Sequence, residues 1–110
     1  VKLPNAEKAC VDLVKLRDYV LNPLHDQGRH KSRVFASALG LTRADAAWLR
    51  AELLQAAKEC DCTLGRQTPH GQRYVQTFVL RRGEMTCRIR SVWNVRPGEN
   101  FPRLITCFVV

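Results

Sequence analysis

At Cys62 the spacing of apolar residues changes from a repeat of three to four positions to alternation, and β-branched and aromatic residues become frequent. A chain written this way places helices first and strands after. The expected class is α+β, with N-terminal helices packed on one face of a small C-terminal antiparallel sheet. The 110 residues are expected to form a single domain, helical over about 1–60 and sheet over about 62–110.

The helical half carries its own start and stop signals. Asp12 is placed to cap a first helix running to Leu21 with Leu16, Tyr19 and Val20 as its apolar stripe, and Asn22-Pro23 ends it. Residues 3–11 are ambiguous. A second helix from about Arg29 carries Val34, Phe35, Ala38 and Leu39 until Gly40, and a third opens with Thr42 and Asp45 as a capping box and continues through Leu49, Leu53 and Ala56 to about Glu59. In the second half, strands over 72–80 and 85–95 pair through a turn around Arg82-Gly83, a last strand covers 103–110, and a short one is allowed near 62–64. Along 85–95, Cys87, Ile89, Ser91 and Trp93 alternate with Arg88, Arg90, Val92 and Asn94. One face is therefore apolar and the other displays arginines.

Charge follows the same division. Of the formal +8, residues 1–61 contribute +2, whereas residues 62–110 set eight arginines against Glu84 and Glu99 alone. Arginine's planar fork matches two phosphate oxygens at once, so a polyanionic partner is favoured over a merely solvated basic surface. No run approaches the roughly 18 apolar residues of a membrane-spanning helix, and no secretory leader is present, so the domain is read as soluble and without membrane contact. Val1 in place of Met suggests a processed product or a piece of a longer polypeptide.

Several chemistries lack their minimum parts. The basic half has two widely spaced carboxylates, too few for two-metal phosphodiester hydrolysis, and no phosphate-cradling Gly-rich loop or Gly-x-Ser-x-Gly elbow occurs. Cys60, Cys62 and His70 offer three zinc ligands without a fourth. The five cysteines are read as free thiols, and neither metal nor cofactor is expected.

RNA cleavage needs neither, because the 2′-hydroxyl is an internal nucleophile that a base, an acid and cations suffice to drive. His30, in Gly28-Arg29-His30-Lys31-Ser32-Arg33 at a helix start, is the candidate acid–base group, with Lys31 and Arg33 stabilising phosphate. Tyr74 is a candidate proton donor or base stacker, and His70 a further catalytic candidate. Arg29, Arg73, Arg88, Arg90 and Arg103 are candidates for binding RNA phosphates. Each has a structural alternative: helix-surface charge for Lys31 and Arg33, a capping role for His30, and a core position for Tyr74. His25 and Thr106 are read as structural, and Trp48 and Trp93 as core.

Four runs carry a resemblance: Leu3-Pro4-Asn5-Ala6-Glu7-Lys8-Ala9, Gly28-Arg29-His30-Lys31-Ser32-Arg33-Val34-Phe35, Gly71-Gln72-Arg73-Tyr74, and Phe101-Pro102-Arg103-Leu104-Ile105-Thr106-Cys107. Over nearly the whole chain they resemble a bacterial and phage family catalogued as a domain of unknown function, whose members look like stand-alone proteins or C-terminal domains of polymorphic toxins encoded beside an immunity factor. Cys10 and Cys62 stand outside those motifs. The order of elements is also similar to the barnase, EndoU, colicin and RelE-like ribonucleases, a likeness at the level of fold. Together these imply a toxin domain with metal-independent endoribonuclease activity, tRNA being one candidate substrate, and a cognate acidic immunity protein as partner. The resemblance further implies delivery as the C-terminal part of a larger secreted protein and action in the cytoplasm of a target bacterium. The alternative is a non-enzymatic module that binds nucleic acid or protein through the same residues.

Overall fold

Asp12 Oδ1 accepts from the backbone N–H of Val14 at 2.9 Å and of Lys15 at 3.4 Å, and this cap starts the first helix, α1. The computed structural model, which describes residues 1–110, shows α1 as an α-turn, Leu13–Lys15, continued by a wider π-turn, Leu16–Val20. The Leu21 N–H donates to Leu16 O at 2.8 Å, five residues back. Leu16 and Val20 are buried and Tyr19 half-buried, as the stripe predicts. Residues 3–11, ambiguous in sequence, contain a short 3₁₀ turn, Ala6–Lys8, and then run beside the start of the last strand. There Cys10 N donates to Pro102 O at 2.9 Å and Leu104 N to Cys10 O at 3.0 Å. Such long-range pairing leaves no periodic trace in a short segment.

The second helix, α2, spans Arg29–Leu39 and ends at Gly40, whose φ of 66° is the left-handed conformation that glycine enters without strain. Its start is held tightly. Gln27 N and Gly28 N donate to His25 Nδ1 at 3.1 and 3.0 Å, and a Cβ at Gly28 would collide with the Tyr19 carbonyl. The third helix, α3, Ala46–Glu59, follows a 3₁₀ turn, Arg43–Asp45, that forms the expected capping box. Thr42 N donates to Asp45 Oδ2 at 2.8 Å.

Four strands follow: β1 Thr63–Thr68, β2 Gly71–Arg82, β3 Met85–Val95 and β4 Arg103–Val109. They form an antiparallel sheet in the order β1-β2-β3-β4. The short strand allowed near 62–64 is a full edge strand. The β2–β3 turn falls at Gly83-Glu84, one residue later than Arg82-Gly83, because Arg82 still pairs with Met85. The helices pack on the face carrying Leu80, Ile89, Trp93, Leu104 and Cys107, all buried. Gln76 on that face is also buried, and its Nε2 donates to the carbonyls of Ala56 and Cys60 at 3.3 and 3.0 Å, tying the end of α3 to the sheet. Trp93, another buried side chain, donates to Ser91 Oγ at 3.0 Å. The opposite face carries Arg73, Thr77, Arg88, Arg90, Val92 and Asn94 and has no helix over it. No strand contains Asp or Glu.

Candidate functional site

Five cations are half-buried: Lys15, Lys31, Arg82, Arg90 and Arg103. Taking a charge from water is costly unless something opposes it, so what each one meets is informative. Arg82 donates to Asp45 Oδ1 at 2.9 Å with its guanidinium 5.1 Å from the Trp48 ring centroid. Arg103 holds both oxygens of Glu99 at 3.0 and 2.9 Å, with its guanidinium 4.9 Å from the Phe101 ring. The arginines keep both carboxyls below their ordinary range, Asp45 down to about 2 with a further contribution from Thr42 N–H. Lys15, Lys31 and Arg90 form no ion pair at all.

Lys31 leaves the first turn of α2 and reaches the edge of β4. Its Nζ donates to Thr106 Oγ1 at 3.0 Å and lies 5.4 Å from the Tyr19 centroid and 5.9 Å from that of Phe108. A hydroxyl that accepts from an ammonium keeps its own hydrogen for another acceptor, so Thr106 can donate to a ligand here. Lys15 of α1 is half-buried as well. Burial pulls its pKa below the ordinary lysine value and the charge of Lys31 adds to that, while Asp12 and Cys107 act in the other direction. Burial pushes the Cys107 thiol up to about 12, against the influence of Lys31 and Lys15.

His30 is exposed and, with Lys31, Val34, Phe108 and Val109, lines a groove of about 320 Å³. Phe108 faces Arg90 in the strand register, and Arg90 faces Thr77, to whose Oγ1 its Nε donates at 3.3 Å. Adjacent strands lie about 5 Å apart, so the row Phe108–Arg90–Thr77 leads from the groove onto the uncovered face. Exposed Arg88 is two residues further along β3 on that face. The groove of His30 and Lys31 thus reaches Phe108, whose partner across the strands is Arg90.

The remaining predicted residues lie elsewhere. Arg33 is on another side of α2, where it lines a groove of about 350 Å³ with Leu21, Ala36, Leu41 and Arg43. Tyr74 pairs with Leu64 and Trp93 and packs against the core, so strand alternation turns it away from its neighbour Arg73. Arg73 belongs to the row Arg73–Asn94–Arg103, four residues along β2 from Thr77, or about 13 Å away. His70 lies beyond it in the β1–β2 turn, where its carbonyl accepts from Asn94 Nδ2 at 3.0 Å. Arg103 is occupied by Glu99, and Arg29 is 3.9 Å from Asp26. His25 is structural: its Nδ1 takes two backbone N–H groups, and its ring meets Tyr19 edge-on at 4.7 Å.

Sequence reasoning missed Tyr19 and Thr106, which meet Lys31. The one local signal was for Thr106, which lies within the motif Phe101-Pro102-Arg103-Leu104-Ile105-Thr106-Cys107. No three His, Cys, Asp or Glu side chains approach closely enough to hold a metal ion, all five cysteines are free thiols, and no helix is long and apolar enough to cross a membrane. No curated protein and no solved structure matches the chain. Residues 2–110 match the family described as Domain of unknown function (DUF6883), and the chain belongs to that family.

Proposed function

We propose that this domain is a toxin that cuts RNA, with tRNA as a candidate substrate, by metal-independent chemistry. The observation that carries the reading is the groove at the edge of β4 where Lys31, half-buried and without a carboxylate, stands beside exposed His30. A site with excess buried positive charge is matched by a phosphate and by its transition state, which carries more negative charge than the substrate. His30 takes the proton of the 2′-hydroxyl as its oxygen attacks phosphorus. The bond to the 5′-oxygen breaks and that oxygen takes a proton from solvent water, leaving a 2′,3′-cyclic phosphate and a 5′-hydroxyl, and His30 returns its proton to solvent. Lys31 and Thr106 donate to the phosphate oxygens, and Arg88 and Arg90 hold the chain leading away over the sheet.

The same charge suits a cognate acidic immunity protein covering the face. The wider setting, delivery within a larger secreted protein and action in the cytoplasm of a competing bacterium, rests on the resemblance alone. The test is incubation of purified protein with total tRNA in EDTA, repeated with His30→Ala. Cleavage that persists with chelator and falls at least ~100-fold in the variant is the expected result. Intact RNA that shifts on a gel instead identifies a non-enzymatic binding module.

A further inference from the structure

We infer that a single strand of RNA crosses the uncovered sheet face on a diagonal track, with one phosphate each on Arg81, Arg88, Arg90 and Lys31, which makes Arg81 the far end of the binding surface. The inference deepens the ribonuclease reading and rests on it for placing the reacting phosphate at Lys31, though not for the track itself.

Strand alternation decides which arginines belong to this face. Leu80 is buried beneath the helices and Arg82 turns to Asp45 and Trp48, so Arg81 between them points outward with Thr77 and Val79. In the register of β2 and β3, Arg81 pairs with Thr86, Val79 with Arg88, Thr77 with Arg90 and Val75 with Val92. Strand β4 extends the last two rows, with Phe108 beside Arg90 and Thr106 beside Val92. From row to row the cation moves from β2 at Arg81 to β3 at Arg88 and Arg90, and then to the β4 edge, where the Lys31 ammonium donates to Thr106 Oγ1 at 3.0 Å. Successive rows on one face stand about 7 Å apart and neighbouring strands about 5 Å apart, so the steps along the diagonal are about 7 to 9 Å. Flexible arginine side chains fit that step to the sugar–phosphate repeat of an extended strand. None of these four cations forms a salt bridge, and no strand contributes an Asp or Glu. The next row is different: Arg103 there is held by Glu99, and Arg73 lies on β2, two strands from Thr106. One cation per row suits a polyanion of regular repeat, and a single file of cations suits one backbone. A duplex presents two backbones, and off the diagonal this face has only Arg73 without a carboxylate for the second.

The experiment uses 2′-O-methyl RNA oligonucleotides, which cannot be cleaved, so that binding is read apart from chemistry. Affinity is expected to rise with length until four phosphates are spanned and then to level off. At the plateau the salt dependence should be about 2.8 logarithmic units per decade, four times the contribution of one single-stranded phosphate. Arg81→Ala, Arg88→Ala and the double variant are then compared at that length. Both side chains are exposed, so the melting midpoint should stay where it is. Each single change is expected to weaken binding about fivefold and to lower the salt dependence by about 0.7, and the double change to weaken it by the product, because the two serve different phosphates. Arg73→Ala, which removes a cation of the same face off the diagonal, should bind as wild type does. Arg81→Ala binding as tightly as wild type, or Arg73→Ala losing as much as Arg81→Ala, overturns the track even if the protein cuts RNA. Double-stranded RNA that binds better than the single strand overturns it as well. Conversely, length-limited binding with these variant effects in a protein that leaves RNA intact upholds the track and removes the ribonuclease reading.

Discussion

Three cations in this molecule lie over aromatic rings in partly buried settings, and they divide into two kinds. Arg82 over Trp48 and Arg103 over Phe101 each grip a carboxylate, whereas Lys31, between Tyr19 and Phe108, has only the hydroxyl of Thr106. The aromatic support is common to all three; what differs is whether the charge is spent inside the protein. Arg82 and Arg103 tie chain segments together, joining β2 to the start of α3 and the β3–β4 loop to β4. Lys31 leaves its charge available, and it does so in a groove that exposed His30 also lines.

Turning one kind into the other gives the largest expected effect. Thr106→Glu supplies Lys31 with a carboxylate; RNA cleavage should fall at least ~100-fold while the melting midpoint holds or rises, measured on the same preparation. Next comes a paired comparison. Lys31→Met should cost cleavage on the order of 100-fold without lowering the midpoint, whereas Arg82→Met should lower the midpoint and keep wild-type cleavage. A Lys31→Met protein that is less stable yet fully active would dissolve the distinction.

Acid sharpens it from the other side. The Asp45 carboxyl titrates at about 2 in the folded chain against an ordinary 3.8, so its stabilisation is complete above about pH 4 and is lost as pH falls toward 2. Asp45→Asn should therefore be less stable than wild type at neutral pH, and the gap should close in acid melts. The smallest effect is expected at Arg88, exposed on the sheet face. Arg88→Ala should weaken RNA binding uniformly across sequences and reduce the salt dependence by about 0.7 of a logarithmic unit per decade, the contribution of one single-stranded phosphate.

Local rules carried most of the fold. The capping box at Thr42 and Asp45, the left-handed Gly40 and the inward–outward alternation of β3 are each settled by a few neighbouring residues, and the α+β arrangement with helices on the apolar face of the sheet follows from them. The site was legible only in part. His30 and Lys31 are neighbours on one turn, but Tyr19 and Thr106 join them through the packing of α1 and α2 against β4, which no local period encodes. The distance between Tyr74 and the arginine surface was within reach, since adjacent strand residues point to opposite faces and Arg73 cannot share a side with Tyr74. Glu99 four positions before Arg103 was a visible partner too. Arg33 required knowing which side of α2 meets the sheet.

Gly28 touches no proposed ligand, yet the closeness of its α-carbon to the Tyr19 carbonyl sets how near the second helix can come to the first. A single methyl group there would lever the start of that helix outward and carry His30 and Lys31 with it, away from β4. In a saturation-mutagenesis screen for loss of the proposed RNA cleavage, this chemically inert position should therefore score beside the imidazole of His30 and the ammonium of Lys31, a registration pin whose loss acts without altering one reactive atom.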